Sequence, residues 1–68
     1  IKNGGSNMYE IRLTSGEEIK MHSEKSADEI LEWLNMICEE GFEFMSCKQL
    51  DGKTTMIRIS ELRTITKL

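Results

Sequence analysis

Apolar residues recur every three to four positions between Ser26 and Gly41, and this period predicts one amphipathic helix. Ser26 can accept a hydrogen bond from a backbone N–H of the first turn, and Glu29 can accept one from the Ser26 N–H, which completes a capping box. Gly41 is typical of the residue that follows a helix. The predicted core-facing stripe consists of Ala27, Ile30, Leu31, Leu34, Ile37 and Cys38.

Two large apolar side chains of this helix lie off that stripe. Trp33 falls at its edge, and Met36 falls outside it beside Glu29 and Glu40. Tryptophan is usually largely buried, so Trp33 either tucks under a neighbouring loop or strand or stays exposed for a partner. Because residues three apart on a helix can touch, the exposed alternative predicts a partner-binding site with an acidic rim. That site consists of Trp33, Met36, Glu29 and Glu40.

The remaining chain alternates apolar and polar residues with the two-residue period of strands. Ser15-Gly16 and Asp51-Gly52 are the predicted turns of two hairpins. The predicted segments are a hairpin over 8–23, strands over 42–50 and 53–59, a 3₁₀ turn over 60–62 and a last strand over 63–68. The alternation is imperfect around Phe44, so the third strand is either covered on both faces or carries a bulge there.

The predicted order β-β-α-β-β-β indicates the α+β class. Two architectures fit this order. One is a bent antiparallel sheet with the helix packed against one face. The other is a small open barrel of the SH3-like or Sm-like kind, in which the last strand returns to the first.

The length of 68 residues limits the chain to one domain. We expect residues 1–7 to be a flexible linker or cloning remnant and residues 8–68 to form the folded domain. Cys38 and Cys47 are too few for a disulfide framework, and we predict reduced core thiols in a cytoplasmic protein. No apolar run approaches the roughly 18–20 residues of a membrane span.

The net charge of −3 is unevenly spread. Residues 24–43 contain seven acidic residues and one basic residue, whereas residues 44–68 contain five basic residues and two acidic residues. The alternative function is therefore a small barrel that binds single-stranded nucleic acid through Arg12, Lys20, Arg58 and Arg63. Against this alternative, nucleic-acid-binding domains are usually basic overall, and these cations could instead offset the acidic helix.

Residue patterns that carry catalysis or bind a cofactor are not found. His22 and the two cysteines lack the spacing of a zinc site, and Gly16 and Gly52 are turn residues rather than part of a phosphate-binding loop. A thiol that faces a core is inert, which argues against Cys38 as a nucleophile. We therefore expect no enzyme activity, cofactor, metal or small-molecule substrate.

Two segments carry a family-level resemblance. Leu-Thr-Ser-Gly-Glu-Glu-Ile at 13–19 and Ile-Arg-Ile-Ser-Glu-Leu-Arg-Thr-Ile at 57–65 are similar to segments of small uncharacterised proteins of Gram-positive bacteria and of their phages or mobile elements. The resemblance implies a cytoplasmic, non-enzymatic accessory or regulatory protein, and it carries over no site residues.

Together these observations predict a small protein–protein interaction or regulatory module. A marginal domain gains stability from burial against a partner. Opposite charges on two regions of one chain suit either self-association, with a homo-oligomer as the plain form, or a larger charged partner such as a host or phage protein.

Overall fold

The computed structural model describes residues 7–68, and over that range the chain forms one helix and five strands. A single 3₁₀ turn at Ile59–Glu61 precedes the last strand. The elements in chain order are β1 (Asn7–Leu13), β2 (Glu18–Ser23), α1 (Ala27–Glu39), β3 (Phe44–Lys48), β4 (Thr54–Arg58) and β5 (Leu62–Lys67). The predicted order and the α+β class are therefore confirmed.

The strands form two antiparallel sheets, one with the order β2-β1-β5 and the other a β3–β4 hairpin. An isolated bridge between Met21 and Gln49 joins β2 to the end of β3. Within residues 7–68, β4 and β5 do not pair, so the structure is a bent, open sheet rather than a closed barrel. The pairing of β5 with β1 brings the last strand back to the first, as predicted.

The predicted linker over 1–7 lies outside the described residues except for its last member. Asn7 begins β1, where it pairs with Ser23. Its side-chain Nδ2 donates a hydrogen bond to the Lys25 carbonyl at 3.0 Å. Asn7 is therefore part of the folded sheet.

Both predicted ends of α1 are confirmed. The Ser26 hydroxyl accepts from the Glu29 N–H at 3.2 Å, and Glu29 Oε1 accepts from the Ser26 N–H at 2.8 Å. At the other end, Gly41 has φ +80° and its N–H donates to Cys38 O, while the Phe42 N–H donates to Ile37 O. This pair of bonds is the Schellman arrangement, which satisfies carbonyls that the helix itself leaves unpaired.

The core lies between the inner faces of the two sheets and one side of α1. Its buried members are Tyr9, Ile11, Met21, Ile30, Ile37, Met45, Cys47 and Ile57. Half-buried side chains that pack around them are Leu13, Ile19, Trp33, Leu34, Ile59, Leu62 and Ile65. The inward-facing residues of the first hairpin are spaced two apart, in keeping with the alternation that predicts these strands.

The predicted orientation of α1 about its own axis was wrong. Ile30 and Ile37 are buried, but Ala27, Leu31 and Cys38 are exposed, and Leu31 keeps 58% of its surface. At 100° per residue, the buried arc is turned by about 50° from the predicted stripe toward Trp33. The cause is the indole ring, because burying it removes more apolar surface from water than burying Leu31 would. Cys38 is therefore not a core thiol, whereas Cys47 is buried as predicted.

The third strand also differs from the prediction. β3 alternates exposed and buried residues, and its register with β4 is continuous from Phe44 to Lys48, so no bulge lies there. Phe42 precedes the strand and is 54% exposed. The apparent break in alternation arose because Phe42 belongs to the loop and Phe44 lies on the outer face.

Candidate functional site

In the predicted partner site on α1, the apolar residue Met36 is exposed, whereas the carboxylate of Glu29 is already hydrogen-bonded within the chain. Met36 is 47% exposed. Glu29 is engaged in the capping box, where hydrogen bonds from the Ser26 backbone N–H and then the Ser26 hydroxyl lower its pKa. Glu40 is the exposed C-cap residue at the opposite end of the helix. The four predicted residues share one side of α1, but Met36 is the exposed apolar member.

Trp33 contributes to the core instead of standing free. Its half-buried ring packs against the core cluster and lines a cleft of about 410 Å³ between α1, β2 and β3. The core residues Met21 and Cys47 line the same cleft. The interpretation in which Trp33 tucks beneath neighbouring strands therefore describes most of its environment.

The basic residues of the nucleic-acid alternative lie on separate surfaces. Arg12 forms an ion pair with Glu18 on the outer face of the three-stranded sheet, and Lys20 stands opposite Glu10 on that face. In an antiparallel sheet, such opposite-charge pairs stabilise the strand register and reduce the local positive potential. This face alternates in charge and is not a basic surface.

Arg58 lies on the outer face of the β3–β4 hairpin. Its guanidinium stacks 4.5 Å from the centre of the Phe44 ring and pairs with Glu43 at 3.2 Å. Both partners are exposed, so the ion pair itself contributes little to stability. Arg63 is the extra residue of a bulge in β5, because Arg12 pairs with Thr64 while Leu13 pairs with Leu62. The structure therefore does not gather Arg12, Lys20, Arg58 and Arg63 on one face.

A groove between α1 and β5 is the surface that sequence reasoning missed. It encloses about 270 Å³, and its lining is mainly apolar. The residues that line it are Tyr9, Ala27, Ile30, Leu31, Leu34, Leu62, Arg63, Thr64, Ile65 and Lys67. Leu31 and Ala27 line it because the buried side of α1 is rotated about the helix axis toward Trp33, which leaves these two residues outside the core.

Charge in this groove has one sign. Arg63 and Lys67 line it, and none of the residues lining it is acidic, although the whole chain has a net charge of −3. Neither cation forms a salt bridge within the part of the chain that the structure describes. The groove thus combines an apolar floor with a positively charged wall.

The strand that forms this wall has an open side. β5 pairs with β1 and with no other strand among residues 7–68. An edge strand presents unpaired N–H and C=O groups, which can pair with another segment. The groove therefore offers hydrogen-bonding groups along one wall and apolar contacts from α1 along the other.

Of the two thiols in the described residues, Cys38 is exposed and Cys47 is buried. Burial raises the pKa of Cys47, so its thiol stays protonated at neutral pH. No group of three or more His, Cys, Asp or Glu side chains among residues 7–68 is arranged to hold a metal ion. In the same range, no helix has both the length and the apolar character needed to cross a membrane.

Comparison of the chain with protein-family models, curated proteins and solved structures gave no match.

Proposed function

We propose that this protein is a small non-enzymatic protein–protein interaction module, whose partner inserts an apolar side chain flanked by acidic residues into the groove between α1 and β5. The observation that carries the proposal is the apolar face of α1 at Ala27, Leu31 and Leu34, which no element of residues 7–68 covers fully. An accessory or regulatory role beside a larger partner agrees with this mode of action.

The exposed leucine gives the groove binding energy. Leu31 is 58% exposed, so covering it completely would contribute about 1–2 kcal/mol by the usual value for burying a leucine side chain. Leu34 and Ile65 are half-buried and line the same groove, and a partner would cover them further. The energetic centres of protein interfaces are well-packed pockets from which surrounding contacts exclude water, and the partner's anchor would fill such a pocket here.

The charge of the groove favours an acidic partner. Arg63 and Lys67 lie where a bound segment would pass, and no lining carboxylate opposes them. Complementary charge raises the association rate and selects against basic competitors. The groove should therefore prefer apolar segments flanked by acidic residues over apolar segments flanked by basic residues.

Two matched variants of α1 test the proposal. Leu31→Asp places a charge in the groove, whereas Met36→Asp places the same charge at a comparably exposed position on the side of the helix where Trp33 lies. Peptides are selected from a displayed random library against the unmodified protein, and their affinities for each variant are measured by titration calorimetry. Urea unfolding verifies that both variants fold.

We expect the selected peptides to be acidic and to lose at least tenfold in affinity with Leu31→Asp, because the new carboxylate replaces the apolar contact with the peptide's anchor and repels its acidic residues. Their affinity for Met36→Asp should stay within about twofold, because an exposed substitution away from the contact changes little. The opposite result would assign binding to the surface around Trp33 and Met36. Failure to enrich any peptide, or equal affinity for both variants, would contradict the proposal.

A further inference from the structure

The geometry of the free edge points to the form of the partner. We infer that the occupant of the α1–β5 groove is an extended acidic segment that adds to β5 as a further antiparallel strand. The inference rests on the proposed function, since it specifies the conformation and sequence pattern of a partner that docks in the same groove.

The register of β5 on β1 shows which backbone groups of β5 point away from β1. The Leu68 N–H donates to the Met8 carbonyl at 2.9 Å, and the same register pairs Thr66 with Glu10 and Thr64 with Arg12. In an antiparallel ladder, alternate residues turn their backbone groups toward the same neighbour. Thr64 and Thr66 therefore face β1, and the N–H and C=O groups of Ile65 and Lys67 point to the open edge.

An added strand would place its side chains to match the groove. Residues directly opposite each other in a sheet have their side chains on the same face. Ile65 and Lys67 both line the groove, so the partner residues opposite them would enter it as well. The residue opposite Ile65 would contact Leu31 and Leu34, which favours an aliphatic side chain there.

The flanking positions follow from the charges. Arg63 and Lys67 line the groove on either side of Ile65, so the groove-facing neighbours of that aliphatic residue would each meet one of these cations. A carboxylate suits both positions. The preferred segment is therefore acidic–x–aliphatic–x–acidic, where the intervening residues face solvent.

A second copy of this chain fits the edge poorly. If two β5 strands paired around Ile65, each Lys67 would lie opposite the other copy's Arg63, and like charges directly opposite each other destabilise a sheet. A helical occupant would fill the groove but leave the free groups of Ile65 and Lys67 unpaired beneath it, and buried unpaired backbone groups are costly. An extended acidic segment of another protein satisfies both the hydrogen bonds and the charges.

Amide exchange provides the test of strand addition. The full chain is labelled with ¹⁵N, and exchange is followed by NMR with and without the peptide Glu-Thr-Ile-Thr-Glu, capped at both ends by additional threonines. Before binding, the amides of Ile65 and Lys67 should exchange faster than those of Thr64 and Thr66. Saturating peptide should slow the amides of Ile65 and Lys67 at least tenfold, whereas the matched Lys-Thr-Ile-Thr-Lys peptide should leave them unchanged.

Reversing the two positive charges of the groove provides a second test of the inference. Arg63→Glu with Lys67→Glu should reverse the preference between the two peptides, with a change of about fivefold or more in the affinity ratio. Lys48→Glu with Lys53→Glu is the matched control, since it makes the same charge change outside the groove and should leave the preference intact. Equal preference in both double variants would overturn the role assigned to Arg63 and Lys67.

Other outcomes separate this inference from the proposed function. If library-selected peptides bind the groove and the amides of Ile65 and Lys67 stay in fast exchange, strand addition is refuted while the groove remains an interaction site. Absence of binding by the acidic probe peptide likewise overturns the inference. The proposed function itself fails if the library selection finds no peptide sensitive to Leu31→Asp.

Discussion

The rotation of α1 leads to a prediction that separates two helix positions of similar size and hydrophobicity. Leu31 and Ile37 both belong to the apolar stripe that the sequence predicts, but Ile37 is 5% exposed and Leu31 is 58% exposed. Replacing each by alanine removes apolar carbon from the same helix. The structure nevertheless predicts very different costs in the free energy of unfolding.

The magnitudes follow from burial. Ile37→Ala removes buried carbon and leaves a cavity in the core, so it should cost about 2–5 kcal/mol. Leu31→Ala loses only contacts of a side chain that is already more than half in water, which amounts to less than about 1 kcal/mol. The higher helix propensity of alanine offsets a few tenths of a kcal/mol of that loss.

Urea denaturation followed by circular dichroism measures both changes. The two variants should have equal m-values, and their midpoints should differ widely. Ser60→Ala, at an exposed position, is a control for the effect of substitution itself. If Leu31→Ala destabilises the protein as much as Ile37→Ala does, the helix presents the predicted stripe to the core and the α1–β5 groove does not exist as described.

Three further measurements test the remaining parts of the structure. Ser26→Ala should cost about 0.5–2 kcal/mol in thermal unfolding, because the Glu29 N–H loses its capping acceptor. Separately, hydrogen bonds from the Ser26 backbone N–H and then from its hydroxyl lower the pKa of Glu29, so the stability that this carboxylate contributes is present at neutral pH and is lost as pH falls through the lowered pKa. In the native protein a thiol reagent should modify Cys38 rapidly and Cys47 only on unfolding, as mass spectrometry can follow. A fluorescent single-stranded oligonucleotide should show no micromolar, salt-sensitive anisotropy change, because the basic residues lie on separate surfaces and Arg58 is paired with Glu43.

Local chemistry explains why much of the fold could be predicted from the sequence. The Ser26 capping box and the Gly41 C-terminus involve residues within one turn of each other, so spacing alone reveals them. The inward positions Tyr9 and Ile11 were predictable because β1 has one buried face, and alternation then fixes every side chain. Features that depend only on residues close together in the chain can therefore be predicted from the residue pattern.

Features that depend on tertiary packing were not predictable in the same way. Helical periodicity identifies an apolar arc, but the competition between Trp33 and Leu31 for the core depends on strands distant in the sequence. The groove further requires the pairing of β5 with β1, which joins opposite ends of the chain. A signal was present, because at 100° per residue the six stripe residues and Trp33 together span about 160° of the helix, which is wider than the roughly 100° stripe typical of a core-facing helix.

The most direct test of the α1–β5 groove is a methyl NMR titration of the full chain with a library-selected peptide. The methyl groups of Leu31, Leu34 and Ile65 should show the largest chemical-shift changes, while that of Met36 should remain in place. Large shifts at Met36 together with unchanged Leu31 and Ile65 would contradict the assignment of binding to this groove.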